Sequence, residues 1–270
     1  MRKRFWIPLL LLIAVSLWGF YENTALELNS FPVSSQALPD AFEGFQIAQI
    51  SDLHNARFGK ENEDIAVLLG QVQPDIIAIT GDLLDSRHTD MEAALAFAEK
   101  LVKIAPCYYV TGNHEAWISG YSGFEKRLEE AGVTVLRNQT ISLERDAQAI
   151  TLAGIDDPAF LGETPFQRML EQLSSENYTI LLSHRPEYFS QYCEAGFDLV
   201  LSGHAHGGQF RFPFLGGLIA PNQGFFPEYD SGLYTSGETN LVVSRGLGNS
   251  VFPFRINNPP EILLITLTKQ

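Results

Sequence analysis

The chain has 270 residues, of which 45% are hydrophobic and 19% charged, a balance that fits a globular protein with a full core and excludes a disordered or low-complexity one. Eighteen basic against 32 acidic residues give a formal charge of −14, which repels nucleic acid and anionic surfaces unless bound cations reverse the field locally. The two cysteines, Cys107 and Cys193, have neither CxxC spacing nor a histidine beside them; they read as apolar residues, with a disulfide between them as the alternative.

The N-terminal segment differs from the rest. Arg2, Lys3 and Arg4 precede residues 5–21, which carry no charge. As a helix this stretch extends roughly 25 Å, enough to cross a bilayer with some local thinning. Basic residues before it and none just after it favour a cytoplasmic N-terminus, with the remaining chain on the extracytoplasmic side of the cell membrane. The expected organisation is a single-pass signal-anchor at 1–21, a polar linker at 22–44 and one domain at 45–270. A cleaved signal peptide and a buried core helix are the alternatives for the first segment; the sequence Trp18-Gly-Phe-Tyr-Glu22 offers a poor cleavage site.

From residue 46 onward, short apolar runs alternate with helical patterns. Strands are expected at 46–50, 76–80, 107–111 and 179–183, and helices at 61–72, 90–103 and 122–131. That order predicts a parallel sheet with helices packed on it. Shorter strands near 133–136, 140–144 and 150–154, and a late group at 198–202, 233–236, 240–244 and 262–268, predict a second, mixed sheet. The stretch 207–230 holds five glycines together with Phe210, Phe212, Phe214, Phe225 and Phe226. A loop this long within a compact domain is usually functional, although an irregular hairpin with its own small core fits the same pattern.

Five of the six histidines fall in loops that follow these apolar runs. Asp52-Leu-His54 follows the first, Gly81-Asp82 the second, Gly112-Asn113-His114-Glu115 the third, His184 the fourth and Gly203-His204-Ala-His206 the fifth. The carboxyl ends of strands in an α/β sheet form one rim, so Asp52, His54, Asp82, Asn113, His184, His204 and His206 converge there. That donor set exceeds the needs of one ion with an open position and suits two ions about 3.5–4 Å apart. Imidazole and carboxylate without thiolate favour Mn, Fe, Zn or Co over Mg or Ca. Any one fragment is weak evidence; the five in this order are not.

With these motifs, and with Gly207-Gly208-Gln209, Ser244-Arg-Gly-Leu-Gly248 and Pro259-Pro-Glu261 continuing the likeness, the chain resembles the calcineurin-like metallophosphoesterases. Those later segments look like a membrane-anchored bacterial branch that includes phosphodiesterases and a UDP-2,3-diacylglucosamine hydrolase. The resemblance implies a four-layer α/β/β/α sandwich of two mixed sheets with a dinuclear site of two divalent transition-metal ions. It implies that Asp52, His54, Asp82 and His206 hold one ion, and that Asp82 as the bridge, Asn113, His184 and His204 hold the other. Glu115 stands where many members carry Asp.

His114 is implied to be a proton donor beside the scissile ester rather than a ligand, with Asp52 as the partner expected to orient it. The implied reaction is in-line attack on phosphorus by a metal-bridging hydroxide. A phosphoester substrate is expected, cleaved as a phosphodiester or pyrophosphate at the membrane surface. The alternatives are a lipid-linked nucleotide such as UDP-2,3-diacylglucosamine and, in another class, a metal-retaining scaffold. Asn55, Arg57, Arg245, Phe225 and Phe226 are the substrate-binding candidates, and no nucleic-acid partner is expected.

Overall fold

The computed structural model describes residues 3–250 and 252–270; the basic flank, Arg2 with the side chains of Lys3 and Arg4, lies outside the described part. The strands in chain order are β1 (Glu27–Ser35), β2 (Gln46–Ile50), β3 (Ile76–Thr80), β4 (Cys107–Val110), β5 (Thr134–Val135), β6 (Gln139–Arg145), β7 (Gln148–Gly154), β8 (Thr179–Leu182) and β9 (Leu199–Ser202). Four two-residue strands follow, β10 (Arg211–Phe212), β11 (Gly216–Gly217), β12 (Ile219–Ala220) and β13 (Gly224–Phe225), and then β14 (Gly232–Ser236), β15 (Thr239–Val243) and β16 (Glu261–Lys269). Two six-stranded mixed sheets result, ordered β1-β16-β2-β3-β4-β5 and β14-β15-β9-β8-β7-β6.

Period-two alternation explains how the sheets stack. Ile76 and Ala78 face the space between the sheets, whereas Ile77 and Ile79 face the helices Glu63–Val72, Met91–Leu101 and Tyr121–Glu130. On the second sheet Ile180, Leu182, Leu199 and Leu201 meet the first sheet, while Leu181 and Val200 pack with Phe166, Leu170 and Tyr192 of its outer helices. Three apolar layers thus lie between four structural ones, and the expected α/β/β/α sandwich is present.

Two expectations change. Part of the segment read as a linker, 22–44, is β1, which pairs in parallel with β16 from Glu27↔Glu261 to Ser35↔Lys269 and buries Val33. Polar residues on an edge strand resemble a linker because only one face of the strand meets the core. The terminal strand β16, grouped by its position with the second sheet, belongs to the first, where it runs antiparallel to β2. An apolar run records burial and does not name its partner strand.

The N-terminal helix, Lys3–Thr24, is long and apolar enough to cross a membrane by length and composition. Its last turn is tied to the domain: the Glu22 carboxylate accepts the Asn258 N–H at 2.9 Å, and Asn249 Nδ2 donates to Asn23 Oδ1 at 2.7 Å. Cys107 and Cys193 are free thiols, and burial pushes the Cys107 thiol up to about 12.

Candidate metal centre

The loops after β2, β3, β4, β8 and β9 carry all seven expected ligands, each of them buried. Asp52, His54, Asp82, His204 and His206 have φ between 46° and 66°, the left-handed region that non-glycine residues enter at a cost. Strain repeated at five ligand positions marks loops shaped for convergence rather than for local comfort. Glycine is required where the loops touch: a Cβ at Gly112 would strike the Asp82 carboxylate, and one at Gly203 would strike Ser51 and Asp52.

Asp52, His54 and His206 form one group of donor atoms, all within 4.8 Å of one another, and Asp82, His184 and His204 form a second. His54 joins the two groups, with its Nε2 3.5 Å from Asp82 Oδ2 and 3.2 Å from His206 Nε2. His184 Nδ1 donates to the Thr80 carbonyl at 2.7 Å, which turns Nε2 toward Asp82 Oδ2, 3.2 Å away, where it carries a proton in the metal-free chain and would offer a lone pair to a metal that displaced it. His184 Nε2, Asn113 Oδ1, His54 Nδ1 and His206 Nδ1 are buried without a hydrogen-bond partner. Two neighbouring buried carboxylates ringed by imidazoles, with His184 Nε2 and Asn113 Oδ1 unpartnered, fit a pair of divalent cations.

Within the protein alone, these charges compensate one another. Burial works to raise the Asp82 carboxyl, but His184 and His54 outweigh it and hold the group well below the carboxylate range. Burial likewise works to lower His184, and Asp82 overrides it, pushing the imidazole up to about 10. Burial dominates at His206, which drops to about 3, and at His204, which lies well below its ordinary value with Arg185 adding to the effect.

His114 stands at the edge of the cluster, its ring edge-on to His54 with centroids 4.4 Å apart. Its Nδ1 accepts the Ser86 N–H at 3.1 Å, and its Nε2 lies 3.1 Å from Ser250 Oγ. An acceptor role at Nδ1 fixes the tautomer that carries its proton on Nε2. The expected partnership with Asp52 is absent. That carboxylate instead accepts Ser51 Oγ and the His204 N–H and faces His206, and Ser86 does the orienting. His114 Nε2 or Nδ1 also falls within 4.8 Å of donors on His54 and Asp82, so proximity alone does not distinguish it from a ligand.

Glu115 is a brace: it accepts the N–H groups of Asp82, Leu84 and Gly112, and burial together with the Asp82 charge pushes its carboxyl up to about 7. Asp85 caps its own turn by accepting the N–H groups of Arg87 and His88.

The substrate-binding candidates are not drawn to the cluster. Asn55 spends its amide on the Asp85 and Asp90 backbones, and Arg57 is exposed and paired with Asp90 at 3.0 Å. Arg245 is held by Glu27 and Glu261 at 2.8 and 2.7 Å. Phe225 and Phe226 are 70% and 59% exposed on the hairpin that carries β13. Residues not singled out in the sequence stand closer. Arg185 is clamped by Asp157 and reaches His204 Nε2 at 2.9 Å and Asn222 Oδ1 at 2.7 Å. Arg185 directly follows a ligand and Asn222 lies in the flagged 207–230 stretch; for Ser86 and Ser250 the sequence offers no signal.

Two mixed sheets that bring imidazoles and carboxylates from five strand ends into adjacent pairs define a metal-dependent phosphoester hydrolase with a dinuclear divalent site. The chain belongs to the calcineurin-like phosphoesterase family, whose model matches residues 45–208. It is 33% identical over 254 residues to the uncharacterized metallophosphoesterase YkuE of Bacillus subtilis (strain 168), covering 92% of this chain and 87% of that one. It is 29% identical to the phosphodiesterase YaeI of Escherichia coli (strain K12), covering 83% and 82%. A transmembrane protein with metallophosphoesterase domain from Danio rerio is 32% identical over 86% of this chain and 55% of its own length. Among solved structures, the protein TT1561 of Thermus thermophilus superposes with a TM-score of 0.51 at 15% identity, covering 76% and 90%; this likeness bears on the fold alone.

Proposed function

We infer that the protein is a phosphodiesterase working at a membrane surface, with Asp52, His54, Asp82 and His206 holding one cation and Asp82, Asn113, His184 and His204 the other. The observation that supports this division is that two of the three donor groups, Asp52–His54–His206 and Asp82–His184–His204, share no residue, with His184 Nε2 and Asn113 Oδ1 buried and without hydrogen-bond partners. Mn, Fe and Zn suit the donors. When bound, the two cations lower the pKa of water and offset charge on the phosphoryl oxygens. The protein's own part is orientation and proton transfer. His114, once protonated on both nitrogens with Ser86 Oγ accepting from Nδ1, can donate from Nε2 to the departing alkoxide, and Arg185, anchored by Asp157, adds positive charge beside His204.

A diester is favoured over other phosphoesters by the activity named for YaeI. The Lys3–Thr24 helix anchors the domain on the extracytoplasmic side, in keeping with the basic residues that precede its apolar stretch. A lipid-linked nucleotide such as UDP-2,3-diacylglucosamine is the second reading, favoured by the exposure of Phe225 and Phe226.

The test is a panel of nucleotides, cyclic nucleotides, phospholipids and UDP-diacylglucosamine offered to chelated protein reloaded with Mn, scored by the bond that breaks. Diester cleavage supports the first reading and release of UMP from the lipid-linked nucleotide the second. No turnover anywhere favours a metal-retaining scaffold.

A further inference from the structure

Beside the cluster lies a cavity of about 260 Å³ with His206, Ile219, Ala220, Pro221, Ser250 and Phe252 in its wall. Its chemistry contrasts with the rest of the centre. Among the described residues, no charged or titratable side chain apart from His206 lines it, and the one amide there, Gln209, already donates to the Phe252 and Phe254 carbonyls. A sugar or nucleobase would leave its polar groups unpaired in such a wall, whereas an alkyl group would not.

The cavity has two further neighbours. Ser250, in its wall, contacts His114 Nε2 at 3.1 Å. Phe252, also in the wall, belongs to the loop 249–258, both ends of which are bonded to the last turn of the N-terminal helix through Asn23 and Glu22. Arg255 pins that loop from within by donating to Gly248 O and Arg245 O, and Phe210 packs edge-on against Phe252 with centroids 5.4 Å apart. The apolar wall is thus linked through Ser250 to His114 and, through the residues flanking Phe252, to the last turn of the N-terminal helix.

We propose that this cavity receives the alcohol released from the substrate, and that this alcohol is the apolar moiety of a phosphodiester drawn from the membrane. The proposal rests on the phosphodiesterase reading. Water adds its oxygen to phosphorus, the phosphorus–oxygen bond to the lipid alcohol breaks, and the alcohol oxygen leaves with one of the two water protons, the other staying on the phosphate product or passing to solvent. The space holds about eight heavy atoms at roughly 30 Å³ each. Each methylene buried there is expected to favour binding by roughly fourfold.

The experiment uses the full-length, metal-loaded chain in lipid nanodiscs with methyl, butyl and octyl monoesters of phenylphosphonate, in which only the alkyl alcohol can leave. The p-nitrophenyl ester serves as the control for hydrolysis itself. The expected result is a kcat/KM that rises about tenfold or more from methyl to octyl, and an Ile219→Trp variant in which that ratio collapses toward one. Phe252→Ala, at the rim, serves if Ile219→Trp does not fold, and should weaken the same ratio.

A second readout does not depend on turnover: an octyl phosphonate bearing a terminal diazirine should, on irradiation, label peptides containing 219–221 or 252. A flat chain-length series, a ratio unchanged in both variants, or labelling confined to other peptides would overturn the proposal. If the p-nitrophenyl ester is not cleaved, the phosphodiesterase reading fails, and the labelling pattern alone decides whether the cavity binds alkyl groups.

Discussion

His114 is proposed to act apart from the histidines that would hold metal. His114→Ala is expected to lower turnover of an aryl phosphodiester by about 10²- to 10⁴-fold with metal content intact, because its Nδ1 is occupied by the Ser86 N–H. Elemental analysis beside kinetics checks this, and loss of metal in that variant would make His114 a ligand. Asp82→Ala should instead empty the centre, since both donor groups lean on that carboxylate.

The histidine shifts also set a pH dependence. His184 is raised to about 10 by Asp82, so at pH 7 it holds a proton that a metal must displace. Metal affinity should therefore increase as pH rises toward 10, with acidification of a weakly buffered solution on loading. Linkage gives the sign for stability. A raised histidine stabilises the metal-free chain fully below about 6.5 and loses that contribution as pH climbs through about 10. The melting temperature of chelated protein should fall across that window, and that of loaded protein should fall less.

At the element scale the loops were more legible than their surroundings. Asp52, Asp82, Asn113, His184, His204 and His206 could be placed at strand ends because each follows an apolar run, and a strand end is a fixed address on a sheet rim. Ser86, Ser250 and Asn222 had no such address, since a loop residue can face any direction and its neighbours come from distant segments. The same reason hid β1, whose polar outer face reads as a linker although Val33 is buried against the sheet. This difference is measurable. Deleting residues 1–24 should leave the sheet intact, whereas deleting through Ser35 uncovers β16 along its whole length and should lower the melting temperature markedly. Equal stability of the two truncations would restore the linker reading. A Gly112→Ala variant should lose metal affinity as well as stability, because the new Cβ would collide with Asp82.

For the molecule as a whole, the opposing signs of charge find a place. The chain's net charge of −14 repels free anions at long range, while a centre loaded with two dications would attract phosphate locally. Phe225 and Phe226, exposed on their hairpin, are suited to contact with a bilayer interface. Replacing both with Ser is predicted to reduce activity on substrate presented in vesicles while turnover of a small aryl phosphodiester is retained; equal loss on both substrates would point to a structural role.

The most direct test of the central claim is metal stoichiometry against activity. Chelated protein titrated with Mn should take up two ions per chain, with hydrolysis of an aryl phosphodiester appearing as the second equivalent binds. Full activity at one ion per chain, or saturation at one ion with all seven ligands intact, would contradict the dinuclear account.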